Sequence, residues 1–325
     1  MSDQAESQNR STPFSWKILL AFAAIYVIWG STYLAIKIGI ETVPPFLFAG
    51  TRFLFAGGVF YAALRLTGAA PKPTVRMWKW AAIIGTLMMV GGNGLVTWAE
   101  QTVPSGLAAL LIATMPIWMV LLDATVFGSA RPGKWVVLGL VMGFFGVTLL
   151  IGPSEGAVDP LGALVLIVAA LSWATGSLMN RSAHLPKSPW LATAMEMIAG
   201  GAVMLVFSGL LGEWGRFEPS AVSLESVAAF FYLTVFGSLV ALSAYVYLLR
   251  ETTAAAVSTY AFVNPVIALG LGLLVGEVIA PRTLVGAILI VGAVVLIHRT
   301  KYRGPVAAPV PRPTLEPASD ASTCR

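Results

Sequence analysis

The chain repeats itself, and each copy carries five apolar segments long enough to cross a membrane. Trp98 and Tyr247, Pro116 and Pro265, Pro132 and Pro281, and Gly143 and Gly292 correspond at one spacing of 149 residues. Trp29 and Trp173, and Lys37 and Arg181, correspond at 144, and a longer loop near residues 212–225 absorbs the drift. Five is odd, so the second copy must enter the bilayer from the side opposite to the first. Inverted halves with a proline inside corresponding segments point to a secondary transporter whose substrate site lies between the halves.

Composition places the chain in lipid. Of its 325 residues 57% are hydrophobic and 11% charged, against roughly 25% charged in soluble domains. Segments able to cross about 30 Å of hydrocarbon predict helices over 17–37, 46–65, 79–99, 104–127, 134–152, 160–181, 189–211, 226–248, 254–276 and 282–299. The expected fold is an all-α membrane protein, ten transmembrane helices as two inverted five-helix repeats. Residues 1–16 form a polar N-terminal tail, 17–152 the first repeat, 153–300 the second, and 301–325 a disordered Pro-rich C-terminal tail. The first apolar run is followed by no clear cleavage site and reads as a retained helix.

Lys and Arg set the orientation, because they resist translocation while acids matter little. With both termini in the cytoplasm, sixteen of the twenty basic residues face inward. The outside then holds Lys37, Arg216 and Arg282 among Glu41, Glu100, Glu155, Asp159, Glu213, Glu218, Glu225 and Glu277, and Arg52 is left inside a helix. This asymmetry accounts for the net charge of +5, so the basic balance implies membrane lipid and no nucleic-acid partner. The sole cysteine, Cys324, lies in the tail, and the two histidines, His184 and His298, lie in different halves. No metal or cofactor is expected. The stretch Gly128–Lys134 resembles the front of a phosphate loop, but Trp135 stands where a hydroxyl must meet magnesium and no strand precedes it.

Candidate site residues follow from polarity and kinks at depth. Pro116 and Pro265 each remove an N–H and free the carbonyl four residues earlier, that of Ile112 or Ala261. Such carbonyls either face a central cavity or are healed by a neighbouring helix. Asn93 and Asn264 put amides near mid-membrane, with Thr86, Thr97, Thr114, Thr259 and Tyr260 on the same or adjoining helices; these line a path or glue helices together. Trp29 and Trp173 are followed by small residues and read equally as a substrate wall or as packing. Trp16, Trp78, Trp80 and Trp190 read as interfacial belt residues. Among charges within the spans, Glu196 is the candidate for proton coupling and reads equally as structural. Asp123 is expected to pair with Arg131 or Lys134. Gly139 with Gly143, and Gly272 with Gly276, have small-xxx-small spacing and are assigned to helix packing.

The strings IWGSTYLAIKIG (28–39), GNGLVTWAE (92–100), VPSGLAALLIATMPI (103–117) and STYAFVNPVIA (258–268) resemble the EamA family of the drug/metabolite transporter superfamily, most closely its YedA-like branch. The resemblance covers about residues 18–300. It implies a bacterial inner-membrane carrier of inverted five-helix halves, often an exporter of amino acids or related metabolites, with a central cavity lined from both halves. The matching positions are Trp29, Ser31, Asn93, Trp98, Pro116, Trp173, Tyr260, Asn264 and Pro265. The sequence therefore predicts a carrier and not an enzyme, with a small-molecule substrate, membrane lipid around it, and proton coupling and oligomeric state left open. An intramembrane enzyme acting on a lipid-linked substrate and a non-transporting partner subunit are the alternatives; the first lacks a His, Asp or Glu cluster.

Overall fold

The structure, a computed structural model, describes residues 16–69, 72–127, 133–151, 159–251, 257, 259–277 and 280–301. The predicted tails apart from Trp16 and Lys301, together with Arg131, Pro132 and Glu155, lie outside these residues. Among the described residues there is no strand. Among the same residues seven helices are long and apolar enough to cross a membrane, and shorter apolar helices occupy Lys134–Leu149, Val263–Leu274 and Pro281–Ile297.

In chain order the helices are α1 (Trp16–Gly39), α2 (Pro45–Leu66), α3 (Val75–Ala99), α4 (Ser105–Thr125), α5 (Lys134–Ile151), α6 (Pro160–Asn180), α7 (Pro189–Leu210), α8 (224–251), α9 (Tyr260–Leu274) and α10 (Pro281–Lys301). Proline opens α2, α6, α7 and α10, where its missing N–H belongs to the first turn and costs no helical bond. One end of the bundle gathers the turns after α1, α3, α7 and α9, and is called the Glu277 end here. The other, with Arg181, is the Arg181 end.

Helices that correspond in the repeat pack on each other in opposite directions. On α2 and α7, Gly50 meets Leu205, Gly201 meets Leu54, and Gly57 meets Met197, so residue numbers rise along one as they fall along the other. On α5 and α10, Gly139 meets Ile297 and Gly146 meets Ile290, again antiparallel. Small residues let backbones close to contact, the packing that helices use in lipid, where hydrophobicity cannot drive them together. Gly139 and Gly143 belong to such a seam, as expected. Gly272 and Gly276 do not. Gly276 takes φ +90° just beyond α9, while Glu277 N donates to Gly272 O at 2.8 Å and Gly276 N to Leu273 O at 3.1 Å. That pattern is a glycine helix stop. Outward-facing positions of α5 and α10, such as Val141, Phe145, Leu284 and Ile288, remain exposed and apolar, as lipid contact requires.

Two glycine stops at the Glu277 end perform the same task. After α7, Gly212 adopts φ +71° and Glu213 turns back so that its carboxylate accepts from Phe46 N (3.3 Å), Leu47 N (2.8 Å) and the Ser208 hydroxyl (2.8 Å). After α9, Glu277 accepts from Ser105 N (2.8 Å), the Ser105 hydroxyl (2.8 Å) and Gly106 N (3.2 Å). Each carboxylate from the second repeat therefore caps a helix start in the first, where free N–H groups and the helix dipole favour an anion. The local sequences match too: Leu-Leu-Gly-Glu and Leu-Val-Gly-Glu meet helices that begin after Thr-Val-Pro.

A third acid, Asp159, caps its own helix. It accepts from Leu161 N, Gly162 N and, at 2.8 Å, the Thr102 hydroxyl. The Thr102 bond, aided by those two amides and opposed by partial burial, holds its carboxyl below the ordinary carboxylate range. A depressed carboxyl stabilises above its unfolded value, and that contribution fades as pH falls through the lowered one. Thermal unfolding across an acid pH series is expected to show less acid-side loss in Asp159→Asn than in the parent protein.

Candidate functional site

Two features that the sequence did not announce build the centre of the molecule. Within α3, residues Thr86–Gly94 form a π-helical segment, and within α8, Leu233–Val240 form another. They occupy corresponding places in the two repeats. A π turn shifts the hydrogen-bond ladder by one residue and concentrates at functional sites. The first contains Gly91, Gly92, Asn93 and Gly94, and the second Gly237.

The matched tryptophans reach across the repeats to these segments. Trp29 on α1 donates Nε1–H to Gly237 O at 3.2 Å in the second repeat. Trp173 on α6 lies over Gly92 in the first, so close that a β-carbon there would meet its ring at 2.5 Å. Only glycine admits this contact. Trp29 also packs beside Tyr245 and Tyr260, at ring separations of 5.4 and 4.9 Å. Ser31 shares a 2.6 Å hydrogen bond with Tyr232, and Trp98 packs in the same apolar cluster as Tyr232. The structure thus joins Trp29, Ser31 and Tyr260 through α8, and sets Trp173 against the segment that carries Asn93. Tyr232, Tyr245 and Gly237 were not singled out from sequence, because nothing in a run of apolar residues marks which face meets Trp29.

The two asparagines differ. Asn93 is half-buried and its carbonyl accepts from the Thr97 hydroxyl at 2.8 Å. Asn264 is buried, and among the described residues its Oδ1 has no hydrogen-bond partner. An unmet buried acceptor is costly; the main-chain carbonyl of the same residue lies against Gly30 of α1.

The prolines are not equivalent either. Pro265 lies inside α9, as expected. Pro116 does not kink a continuous helix. The chain breaks into Ser105–Ile112 and Met115–Thr125, and Pro116 sits in the first turn of the second piece. Thr114 makes the break: its hydroxyl donates to Leu111 O at 2.6 Å, and its carbonyl accepts from Ile117 N at 2.8 Å. Beside it lies an apolar cavity of about 90 Å³ lined by Thr114, Ile117, Trp118, Phe144, Val147 and Ile167.

Charge pairing brings in a partner from another helix. Asp123 pairs with Arg181 at 3.2 Å, while the Lys134 ammonium lies over the Trp135 ring and Arg131 lies outside the described residues. Glu196 is buried on α7 and accepts from Asn180 Nδ2 at 3.2 Å. Trp78, Trp80 and Trp190 lie against Tyr61, His184 and Phe60 at the Arg181 end, and Trp16 is exposed.

A bundle of apolar helices with interrupted spans, joined across two repeats, defines a membrane transporter of the kind built from duplicated halves. The family model described as "EamA-like transporter family" matches residues 15–152 and again 160–299. The chain belongs to that family. It is 41% identical over 302 residues to the "Uncharacterized inner membrane transporter YedA" of Escherichia coli (strain K12), covering 92% of this chain and 96% of that protein. It is 29% identical over 161 residues to the "Probable amino-acid metabolite efflux pump" of the same strain, covering 48% of this chain and 51% of that one. A crystal structure aligns with a TM-score of 0.58 at 22% identity, over 89% of this chain and 99% of the other, a likeness of fold alone.

Proposed function

We propose that this protein is a secondary transporter of ten membrane-spanning helices in two inverted five-helix halves, 17–152 and 153–300, that exports amino acids or related small metabolites. The bias of basic residues puts both termini in the cytoplasm of a bacterium and the Glu277 end outside its inner membrane. Substrate would sit between the halves near the level of Pro116 and Pro265, against Trp29, Ser31, Asn93, Trp98, Trp173, Tyr260 and Asn264, and rocking of one half on the other would expose it to each side in turn. One observation carries this reading: each matched tryptophan touches the π segment of the opposite repeat, so motion between halves changes the walls of this centre. The name of the efflux pump to which half of the chain is similar supports amino acids as the substrate class. Glu196, buried and hydrogen-bonded to Asn180, is the proposed proton-coupling acid.

Purified protein in loaded proteoliposomes should release radiolabelled amino acids faster than empty vesicles do. Trp29→Ala removes a hydrogen bond and two aromatic contacts worth about 0.5–1.5 kcal/mol each, and should lower flux at limiting substrate by about tenfold. Absence of release for every amino acid tried would refute the substrate class.

A further inference from the structure

The acid that the site and its clamps leave unused is Glu100. It follows α3 directly, two residues beyond Trp98, and its relative exposure is 0%. Among the described residues neither carboxylate oxygen has a hydrogen-bond partner. Cations are near: Lys37 on α1 and Arg52 on α2 lie within electrostatic reach, as do the acid Glu277 beyond α9 and the Tyr33 hydroxyl on α1. Yet neither cation donates to the carboxylate. Lys37 gives its ammonium to the main-chain carbonyl of Glu100 at 3.1 Å. Arg52 lies over the Phe53 ring at 4.2 Å and keeps a buried Nε without partner. The other acid of the group is satisfied, because Glu277 is held by three donors.

A buried carboxylate with no donor is among the least tolerable arrangements in a protein when ionised, and an acceptable one when it carries a proton. The neutral acid is therefore the form that fits this closed end. If the end opens, as the transport reading requires, water reaches Glu100 and favours ionisation. We propose that Glu100 is a proton-exchange group of the transport cycle: it releases one proton to the outside medium as the Glu277 end opens and takes one back as it shuts. The O–H bond breaks to water on opening, the electron pair stays on the carboxylate, and the same bond re-forms on closing. Arg52 and Lys37 then face an anion that they can reach.

The inference rests on the carrier reading but is tested apart from flux. Cys324 is the only cysteine, so a Cys324→Ser background carries one reporter, Val103→Cys, at a fully buried position three residues beyond Glu100. The full-length protein in vesicles is treated with an impermeant maleimide, and rates are divided by those of an exposed control, Ser220→Cys, to remove the pH dependence of the thiol itself. Release of one proton makes normalised labelling climb with pH by up to about tenfold per unit. Glu100→Gln, shaped like the neutral acid, should abolish the climb. Glu100→Asp should keep it with a moved midpoint, which shows that loss in the glutamine variant is not misfolding. Glu277→Gln and Glu196→Gln should leave it in place. A climb that survives Glu100→Gln, disappears in Glu277→Gln or Glu196→Gln, or is missing from the background overturns the proposal. Amino-acid flux with flat labelling refutes this role alone; pH-dependent labelling without flux refutes the substrate class alone.

Discussion

Replacing Glu213 with alanine lowers the stability of the folded protein by about 3 kcal/mol or more. The side chain is 2% exposed and accepts from two backbone amides at the start of α2 and from the Ser208 hydroxyl. Alanine leaves all three donors without an acceptor where water is scarce, and an unmet buried donor costs about 1–3 kcal/mol. Glu213→Gln keeps an acceptor oxygen and should lose less. Unfolding in a detergent series, followed by circular dichroism, measures both. Equal stability of the alanine variant and the parent would mean that α2 finds another cap. The corresponding Glu277→Ala is expected to be milder, because Glu277 is less buried than Glu213.

Gly201→Leu is expected to disrupt the molecule as severely, for a steric reason. A β-carbon at Gly201 would lie 2.7 Å from Leu54 N and 3.0 Å from Gly50 O. Both are backbone atoms and cannot swing aside, so α2 and α7 must separate along the most extensive seam between the repeats. Overpacking of this kind costs about 3 kcal/mol or more. Gly58→Leu, one face away with nothing within 4 Å, is the control and should be close to neutral. Size-exclusion profiles and thermal unfolding of the two variants give the comparison. If both behave alike, the closeness of the α2–α7 contact does not govern stability.

Much of the architecture was readable before any coordinates. Hydropathy located the helices to within a few residues at most ends, since a span is dictated by the thickness of hydrocarbon. The repeat spacing paired Trp29 with Trp173 and Lys37 with Arg181, and the structure gives each pair related surroundings: tryptophans on opposite π segments, cations against Glu100 O and Asp123. What misled was chemistry decided by neighbours in space. Pro116 was read as a kink because a proline removes a bond from any helix that continues through it, but Thr114 ends the helix first. The reach of Arg181 to Asp123 from another helix was not anticipated either.

By itself, then, the sequence determined that the chain lives in lipid, that it is doubled, and where its helices run, because these follow from one-dimensional quantities: length, apolarity and period. Only the tertiary structure decided which buried polar groups are satisfied. Glu213, Glu277 and Glu100 look alike as loop acids of the end that is poor in basic residues. Two fold back onto helix starts and one is shut in with no donor, since hydrogen bonding depends on distances between segments that hydropathy does not encode.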